Sequence, residues 1–229
     1  MRSAVIALVV FVAISRSDFL LPFQLSDDLI NYTAQLEQPI NNETVCPLAQ
    51  LNYCQYSFNM NFGLDASVSY NNGTVIFNTI QSFMSMNVTE LNRVCKARTN
   101  FYHCLGHSYY TCMNLHTRLE SNTTDSSNGF DYVRTFRTLE WVCGGGYRET
   151  INQFDCFGSV PTTSAYQDCM TSFNQTVSTS NFCPAIQQNS NCLKSAYQHH
   201  CEDSYAGLFG CESFRYTFSK ACPTLKCTM

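Results

Sequence analysis

Residues 87–112 read NVTELNRVCKARTNFYHCLGHSYYTC, and this stretch decides the fold class of the chain. Asn87 can cap a helix, and Glu90 can reach back to the cap as the third helical residue. Gly106 can end the helix, because glycine is the usual residue after the last helical turn. The stretch therefore predicts one long helix between Asn87 and Gly106.

The cysteine spacing in that stretch predicts how the helix is held. Cys95 and Cys104 lie nine residues apart, and so do Cys183 and Cys192. On a continuous helix such residues point to opposite faces and lie roughly 13–14 Å apart, whereas disulfide partners have α-carbons within about 7 Å. We therefore expect each cysteine to bond to a different element. A third cysteine follows each pair, which hints at an internal duplication, although the residues between the cysteines do not match.

Apolar residues recur at helical spacing in several other segments. The stripes are Leu48, Leu51, Cys54 and Phe58; Ile76, Ile80, Phe83 and Met84; and Val133, Phe136 and Leu139 with Val142 or Cys143. Residues 164–177, 183–200 and 203–220 have helical patterns too, whereas alternation with a period of two is scarce. We predict an all-α fold, a multi-helix domain stapled by disulfides.

Residues 1–17, MRSAVIALVVFVAISRS, have the pattern of a cleaved secretory signal peptide. A basic start precedes an apolar run of 11 residues from Ala4 to Ile14. This run is shorter than the roughly 20 residues of a membrane helix. Ser15 or Ser17 is the expected end of the signal, and an uncleaved anchor is the alternative. We expect a secreted, extracellular protein with no membrane insertion.

Export changes how the 14 cysteines are interpreted. In an oxidising compartment an even number of cysteines predicts a disulfide framework, here of up to seven bridges. The cysteines are Cys46, Cys54, Cys95, Cys104, Cys112, Cys143, Cys156, Cys169, Cys183, Cys192, Cys201, Cys211, Cys222 and Cys227. Spacing excludes some pairs without selecting a set, so the connectivity stays open.

Six Asn-x-Ser/Thr triplets without a central proline predict N-glycosylation of the exported chain. They begin at Asn31, Asn42, Asn72, Asn87, Asn122 and Asn174. Charged residues make up 13% of the chain, against roughly 25% in typical soluble domains. The polar surface is therefore expected to consist largely of Asn, Gln, Ser, Thr and glycans.

The charge of the chain excludes one class of partner. The formal net charge is −4, and no basic run occurs. A weakly acidic chain is a poor binder of nucleic acids and of acidic membranes, because both require clustered Lys and Arg. We expect no nucleic acid as partner, and the partner to be an extracellular protein or glycan of unknown identity.

The chain divides into a signal peptide (1–17), an N-terminal leader without cysteine (18–45) and a cysteine-rich helical domain (46–229). Within the last part, residues 120–129 read ESNTTDSSNG and predict an exposed loop that proteases can reach. The cysteine spacing continues across this loop, so it is not a domain boundary.

The leader contains one predicted helix. Ser26 can cap a short helix that carries Leu29, Ile30 and Leu36 and ends before Pro39. Whether this helix packs on the rest of the chain is left open by the sequence.

One histidine pair has the spacing of a metal site. His103 and His107 are four residues apart and would share a helix face, but zinc hydrolases with this spacing place a glutamate after the first histidine. Here that position is Cys104, and Gly106 favours a helix end between the histidines. We expect no metal, and we interpret Cys104 and Cys112 as halves of disulfides.

Two other motifs contain residue types that catalysis or phosphate binding uses. Residues 199–203, HHCED, gather imidazoles and carboxylates, but neighbouring residues on a helix diverge by about 100° and cannot face one substrate. Residues 143–147, CGGGY, lack the preceding strand and the following lysine of a phosphate loop. Trp141 is expected to be a core anchor beside Cys143. We predict no catalytic residue and no cofactor, and therefore no enzyme.

Three segments resemble a known family. Residues 191–208, NCLKSAYQHHCEDSYAGL, together with 91–105 and 139–156, are similar to the secreted, cysteine-rich helical domain of unknown function in nematodes. The likeness covers roughly residues 46–227 and implies secretion and a stapled helical fold. It implies no activity and no catalytic residue.

A second resemblance is to the cysteine-rich domain of nematode chondroitin proteoglycans, through the Cys143-x12-Cys156 spacing. Glycosaminoglycan attachment needs Ser-Gly, and the chain contains no such dipeptide. We therefore expect a secreted, disulfide-rich N-glycoprotein that acts as an extracellular binding module. The alternative is a structural component of an extracellular coat such as an eggshell or cuticle matrix.

Overall fold

The computed structural model describes residues 19–38, 45–120 and 125–229. The predicted signal peptide and the sequons at Asn42 and Asn122 lie outside these residues. Every regular element in the described ranges is a helix and none is a strand, which confirms the predicted all-α fold. No helix in these ranges is long and apolar enough to cross a membrane.

The helices are numbered in chain order within the described ranges. They are α1 (Asp27–Leu36), α2 (Leu48–Asn59), α3 (Gly73–Met84), α4 (Val88–Leu105), α5 (Tyr109–Cys112), α6 (Leu115–Glu120), α7 (Ser126–Glu140), α8 (Tyr147–Asn152), α9 (Phe154–Ser159), α10 (Ser164–Thr176), α11 (Phe182–Cys201) and α12 (Ser204–Phe218). Short 3₁₀ turns at Gly106–Ser108 and Val160–Thr162 and a π-helical turn at Trp141–Gly145 join consecutive helices.

The predicted start and end of α4 are confirmed. The Asn87 Oδ1 accepts a hydrogen bond from the Glu90 N–H at 3.0 Å. The Glu90 carboxylate lies 3.2 Å from Arg93 instead of reaching back, so only half of the capping box forms. Gly106 ends the helix with a φ of 54°, a backbone conformation that glycine adopts at little cost.

The second half of the predicted loop at 120–129 is helical, so the prediction is wrong there. Asp125 caps α7 by accepting the Asn128 N–H at 2.8 Å, so residues 126–129 already belong to the helix. Gly129 is buried against Leu119, and residues 121–124 of the predicted loop lie outside the described residues.

Helix α7 is the central helix of the fold. It packs against α1, α3, α4, α6 and α12, and every residue from Gly129 to Leu139 is buried. The sequence predicted one apolar face with Val133, Phe136 and Leu139, but charged residues of this helix are buried as well. Those charges are paired inside the protein, as Arg134 is with Asp131 at 2.8 Å.

The leader packs into the core. Its buried side chains are Phe19, Leu20, Leu21, Phe23 and Leu25. The ring of Phe23 lies 5.2–5.9 Å from four other phenylalanine rings, those of Phe130, Phe173, Phe214 and Phe218. Arg134 donates hydrogen bonds to the carbonyls of Leu21 (3.1 Å) and Phe23 (2.7 Å).

Helix α1 is held at both ends. The Ser26 Oγ accepts the Leu29 N–H at 3.4 Å, as the sequence predicted. Leu36, predicted to share the apolar face, is 40% exposed. The carboxylate of Glu37 anchors this end instead, because its two oxygens lie 2.6 and 2.7 Å from the guanidinium nitrogens of the buried Arg137.

Seven disulfides pair the 14 cysteines. They are Cys46–Cys112, Cys54–Cys104, Cys95–Cys143, Cys156–Cys201, Cys169–Cys192, Cys183–Cys222 and Cys211–Cys227. The expectation from the spacing is confirmed: the two cysteines of α4 bond to different elements, and the three of α11 do so as well.

The disulfides fall into two groups that no bridge connects. We name residues 46–143 module 1 and residues 156–227 module 2. In module 1 the six cysteines pair first with fifth, second with fourth and third with sixth. Three bridges of module 2 pair in the same order, and Cys211–Cys227 is added to them. Six cysteines allow 15 pairings, and any one of the four bridges of module 2 could be set aside, so chance agreement would occur at most about four times in 15.

The packing beside the disulfides repeats as well. A small cavity lies beside Cys54–Cys104 and another beside Cys169–Cys192, and their eight lining residues occupy the same offsets from the cysteines. Sequence identities accompany them: CQYSFN at 54–59 matches CMTSFN at 169–174, and CLGHSY at 104–109 matches CLKSAY at 192–197. The structure bears out the hinted duplication. Between the second and third cysteines of the triplets, Leu105 and Tyr109 match Leu193 and Tyr197, so the residues there correspond in part.

Candidate functional site

An exposed row of apolar side chains runs along α2. Tyr53, Tyr56 and Met60 are 68%, 47% and 64% exposed, and we call these three residues the crest. At about 100° per residue they fall within roughly 60° of one another around the helix. Val45, just before α2, is also exposed. The crest is therefore one continuous face, in contrast to the single exposed apolar residues that are normal on a protein surface.

The opposite face of α2 is fixed in the core. Cys54 bonds to Cys104 on α4, and the ring of Phe58 lies 5.2 Å from that of Phe136. The buried Gln55 accepts a hydrogen bond from the Tyr132 hydroxyl at 2.7 Å. The crest is thus carried by a helix that is held covalently and by buried contacts, so little ordering would be needed on binding.

Three exposed polar residues follow one another at four-residue steps on α4, Asn92, Lys96 and Asn100, and we call them the polar row. A groove of about 100 Å³ between α2 and α4 is lined by Ser57, Asn61 and Asn100 on its polar side. A wider, open groove of about 340 Å³ follows, lined among others by Asn100, Lys96 and Tyr147. Asn100 lines both grooves, and Ser57 in the first of them lies one helical turn from Tyr53 and from Met60, so the polar row and the crest lie on adjoining surfaces.

Helix α2 carries no charged residue. Among the residues that line the two grooves, Lys96 carries the positive charge, and it belongs to the polar row. Contacts to the crest itself would therefore rest on apolar burial and on the tyrosine hydroxyls, with little contribution from ion pairs.

Module 2 shows that the fold does not require the crest. The residues at the same offsets from Cys169 as the crest has from Cys54 are Asp168, Thr171 and Gln175, all exposed and polar. Leu51, Gln55 and Phe58 have buried counterparts in the second helix, and these are Tyr166, Met170 and Phe173. Because the same helix position is polar in one module and apolar in the other, packing alone does not explain the crest.

The structure places His103 and His107 on the surface and not in a metal site. Cys104 bonds to Cys54 and Cys112 to Cys46, so neither sulfur can serve as a metal ligand. Both histidines are exposed. In the part of the chain that the structure describes, no three metal-binding side chains come together.

The HHCED segment is spread over separate contacts. Cys201 bonds to Cys156, and Asp203 caps α12 by accepting the Tyr205 N–H at 2.6 Å. His199 is exposed, while the His200 Nε2 lies 2.8 Å from the Ser159 Oγ. No described carboxylate pairs with His200. These residues end α11 and start α12, and the segment has the divergent arrangement that the helix geometry predicted.

The glycine run after α7 makes room for a ring. A Cβ on Gly145 or Gly146 would lie 2.8 Å from the indole of Trp141. That indole packs 5.5 Å from Tyr216, measured between ring centroids. The run therefore has a packing role, and Trp141 is a partly buried anchor, as expected from the sequence.

A second cluster gathers titratable groups between α4, α5 and α7. Arg98 lies 3.5 Å from Glu140 and 5.3 Å from the ring centroid of Tyr102. Burial raises the pKa of Glu140 above its ordinary value, although Arg98 opposes the shift. Burial also raises the pKa of the Tyr109 hydroxyl strongly. Glu140 is therefore the carboxyl in this cluster whose charge is most costly.

The sequons differ in exposure. Asn31, Asn87 and Asn174 are exposed, whereas Asn72 is half-buried and its Oδ1 accepts the Ser69 N–H at 3.0 Å. Three of the four described sequons thus present an accessible side-chain amide.

Sequence reasoning did not single out the crest, because a tyrosine at a helix position does not reveal whether it faces the core. The signal that could have found it is the repeat of C-x-x-S-F-N at 54–59 and 169–174, which aligns the crest with polar residues. Comparisons with models of protein families, with curated proteins and with solved structures found no match to the chain.

Proposed function

We propose that the protein is a secreted recognition module that binds an extracellular partner through the crest and the adjoining polar row of α4. One observation carries this proposal: the crest is apolar and exposed, whereas the same position of module 2 is polar. Tyrosine and methionine on a rigid support are residue types that interfaces favour.

Export is the second part of the proposal. A framework of seven disulfides without a free cysteine is typical of proteins that fold in oxidising compartments. The resemblance to secreted nematode domains fits this part and stays a prediction. The partner is an extracellular protein or a glycan, and both classes use exposed tyrosine rings for contact.

The test is binding of the labelled, exported protein to intact cells of the organism that makes it. We expect saturable binding, which a triple variant with Tyr53→Ser, Tyr56→Ser and Met60→Ser reduces at least about tenfold, as expected from the loss of one or more interface hot spots. Because α2 carries no charge, binding through the crest is expected to persist at high salt.

A matched control also has three exposed apolar residues replaced by serine. Val75→Ser, Met86→Ser and Tyr205→Ser change exposed apolar residues on other elements and should leave binding unchanged. Mass measurement without reductant verifies that all variants retain seven disulfides. Equal binding by the crest variant and wild type would refute the proposed surface. Recovery of the native protein only with detergent and reductant would favour the structural coat component instead.

A further inference from the structure

Module 2 carries a sequon where module 1 carries its crest. Asn174 lies on α10 between the counterparts of two crest residues, Thr171 and Gln175, and all three are exposed. Its counterpart in module 1 is Asn59, which is fully buried and donates a hydrogen bond to the Val68 carbonyl at 2.7 Å. The same asparagine of the repeated C-x-x-S-F-N motif is thus internal in one module and on the surface in the other.

We propose that Asn174 carries an N-linked glycan that shields the α10 face, so that the chain presents one recognition face and not two. The inference rests on the export of the chain, which belongs to the proposed function. It adds a modification site to the proposed function. It also gives a reason why the repeated helix position serves as a binding face in module 1 and not in module 2.

The chemistry requires an oligosaccharide donor, and the secretory pathway supplies a lipid-linked oligosaccharide diphosphate. The bond between the sugar C1 and the diphosphate oxygen breaks, and a bond between C1 and the Asn174 Nδ2 forms. The amide loses one proton and the lipid diphosphate leaves. The acceptor triplet is Asn174-Gln175-Thr176, and no proline lies within it.

The fold can accommodate this glycan. Asn174 and Thr176 are exposed near the C-terminal end of α10, and the Thr176 hydroxyl bonds only to the Ser172 carbonyl one turn earlier, at 2.8 Å. The buried side of the helix is anchored by the Cys169–Cys192 disulfide and by Phe173. A glycan at this position extends into solvent and displaces none of these contacts.

The glycan can be located in the protein as it is exported. Trypsin cleavage after Arg148 and Lys194, following reduction, releases residues 149–194, which contain this sequon and no other. Enzymatic removal of N-glycans in heavy-oxygen water converts the carrier asparagine into a labelled aspartate. We expect the label at Asn174. We also expect Thr176→Ala, which retains the asparagine, to lower the mass of the intact protein by one oligosaccharide.

Shielding is tested by moving the crest. In a chain whose own crest is replaced by serine, Asp168→Tyr, Thr171→Tyr and Gln175→Met place the same side chains on α10. We expect this variant not to bind cells while Thr176 is present and to regain binding when Thr176→Ala removes the glycan. Thr89→Ala, which removes the sequon at Asn87 on α4, is the matched control and should restore nothing.

The outcomes separate the two proposals. An exported chain whose 149–194 peptide is wholly unmodified would overturn the inference and leave the recognition module standing. Binding by the transplanted crest with the glycan in place would also overturn it. A failure of the transplant to bind even after Thr176→Ala would show that the crest side chains on α10 make no binding face without the polar row of α4, which contradicts shielding as the reason for a single site. A chain retained in the cell with reduced cysteines would refute export, and with it both proposals.

Discussion

At the residue scale, the fold depends on charged side chains that are buried. Arg137 is 5% exposed, yet its guanidinium meets the Glu37 carboxylate and the carbonyl oxygens of Met113 and Thr217, at 3.0 and 3.1 Å. The Glu37 carboxylate also accepts the Leu115 N–H at 2.9 Å. One ion pair therefore joins the leader, the start of α6, α7 and α12.

Removal of one partner from this pair should be costly. Arg137→Met leaves the buried carboxylate of Glu37 without its cation, and we expect the free energy of unfolding to fall by about 3–5 kcal/mol. In the double variant with Glu37→Met the free energy of unfolding should fall by less than in Arg137→Met alone, because no unpaired charge is left. Urea denaturation measures the free energy of unfolding of both variants. The control is Arg93→Met, which removes an ion pair whose arginine is 51% exposed and should lower this free energy by less than about 1 kcal/mol. A double variant that is less stable than the single one would contradict this explanation.

Glu140 should make stability depend on pH. Its folded pKa is raised above the ordinary value of 4.5 by burial, so the folded state binds this proton more tightly than the unfolded chain does. This contribution to stability is complete below the ordinary pKa and is lost as pH rises through the raised folded pKa. Glu140→Gln cannot ionise, so its melting temperature relative to wild type should increase from about pH 4 to about pH 7. The exposed Glu202→Gln is the control, and an unchanged difference for Glu140→Gln would contradict the argument.

At the element scale, helix contacts are set by close backbone approach as well as by side chains. The start of α3 packs onto the first turns of α7, where a Cβ on Gly73 would lie 1.9 Å from the carbonyl oxygen of Asn128. Thr74 adds a hydrogen bond from its hydroxyl to Asp131 at 2.7 Å. Glycine at this position therefore lets the two helices touch.

Gly73→Ala should force α3 away from α7. We expect the free energy of unfolding to fall by about 1–3 kcal/mol, which is the usual cost of overpacking a closely packed contact. Val75→Ala changes an exposed residue of the same helix and should have little effect on the melting temperature. Equal melting temperatures of Gly73→Ala and wild type would show that the backbone contact can relax.

The elements show how far the sequence could predict this structure. The limits of α4 follow from Asn87 and Gly106, because caps act through neighbouring backbone groups, and the opposed staples of α4 and α11 follow from helix geometry. The environment of α7 could not be predicted, because Arg134 finds its carbonyl partners in the distant leader and its nearest ring, Phe77, on α3. The crest could not be predicted either, since exposure is a property of the packed chain.

At the scale of the whole molecule, two disulfide groups share one core. No disulfide joins module 1 to module 2. The leader contains no cysteine and therefore forms no disulfide with either module. Phe23 of the leader contacts Phe130 of module 1 and Phe173 and Phe214 of module 2. The modules are therefore held together by packing that includes a segment outside both.

Phe23→Ala should weaken the junction of the modules. Truncation of a buried phenylalanine costs about 3–5 kcal/mol, and here the loss falls on the contact between modules. We expect hydrogen exchange to increase on both sides of the junction, at the start of α7 and along α12. Leu36→Ala, at a partly exposed leader position, should leave exchange at the junction unchanged. Increased exchange confined to the leader would contradict this role of Phe23.

The lack of a bridge between the modules also has a consequence for the life of the protein outside the cell. One peptide-bond cleavage between residues 144 and 155, where Gly144 and Gly145 are exposed, would yield two chains with no covalent link. Every disulfide would remain intact, yet the product would be a heterodimer whose survival obeys mass action. At high local concentration it would persist, and on dilution its parts would separate, so a single protease could convert a long-lived protein into one whose lifetime is set by distance from its source.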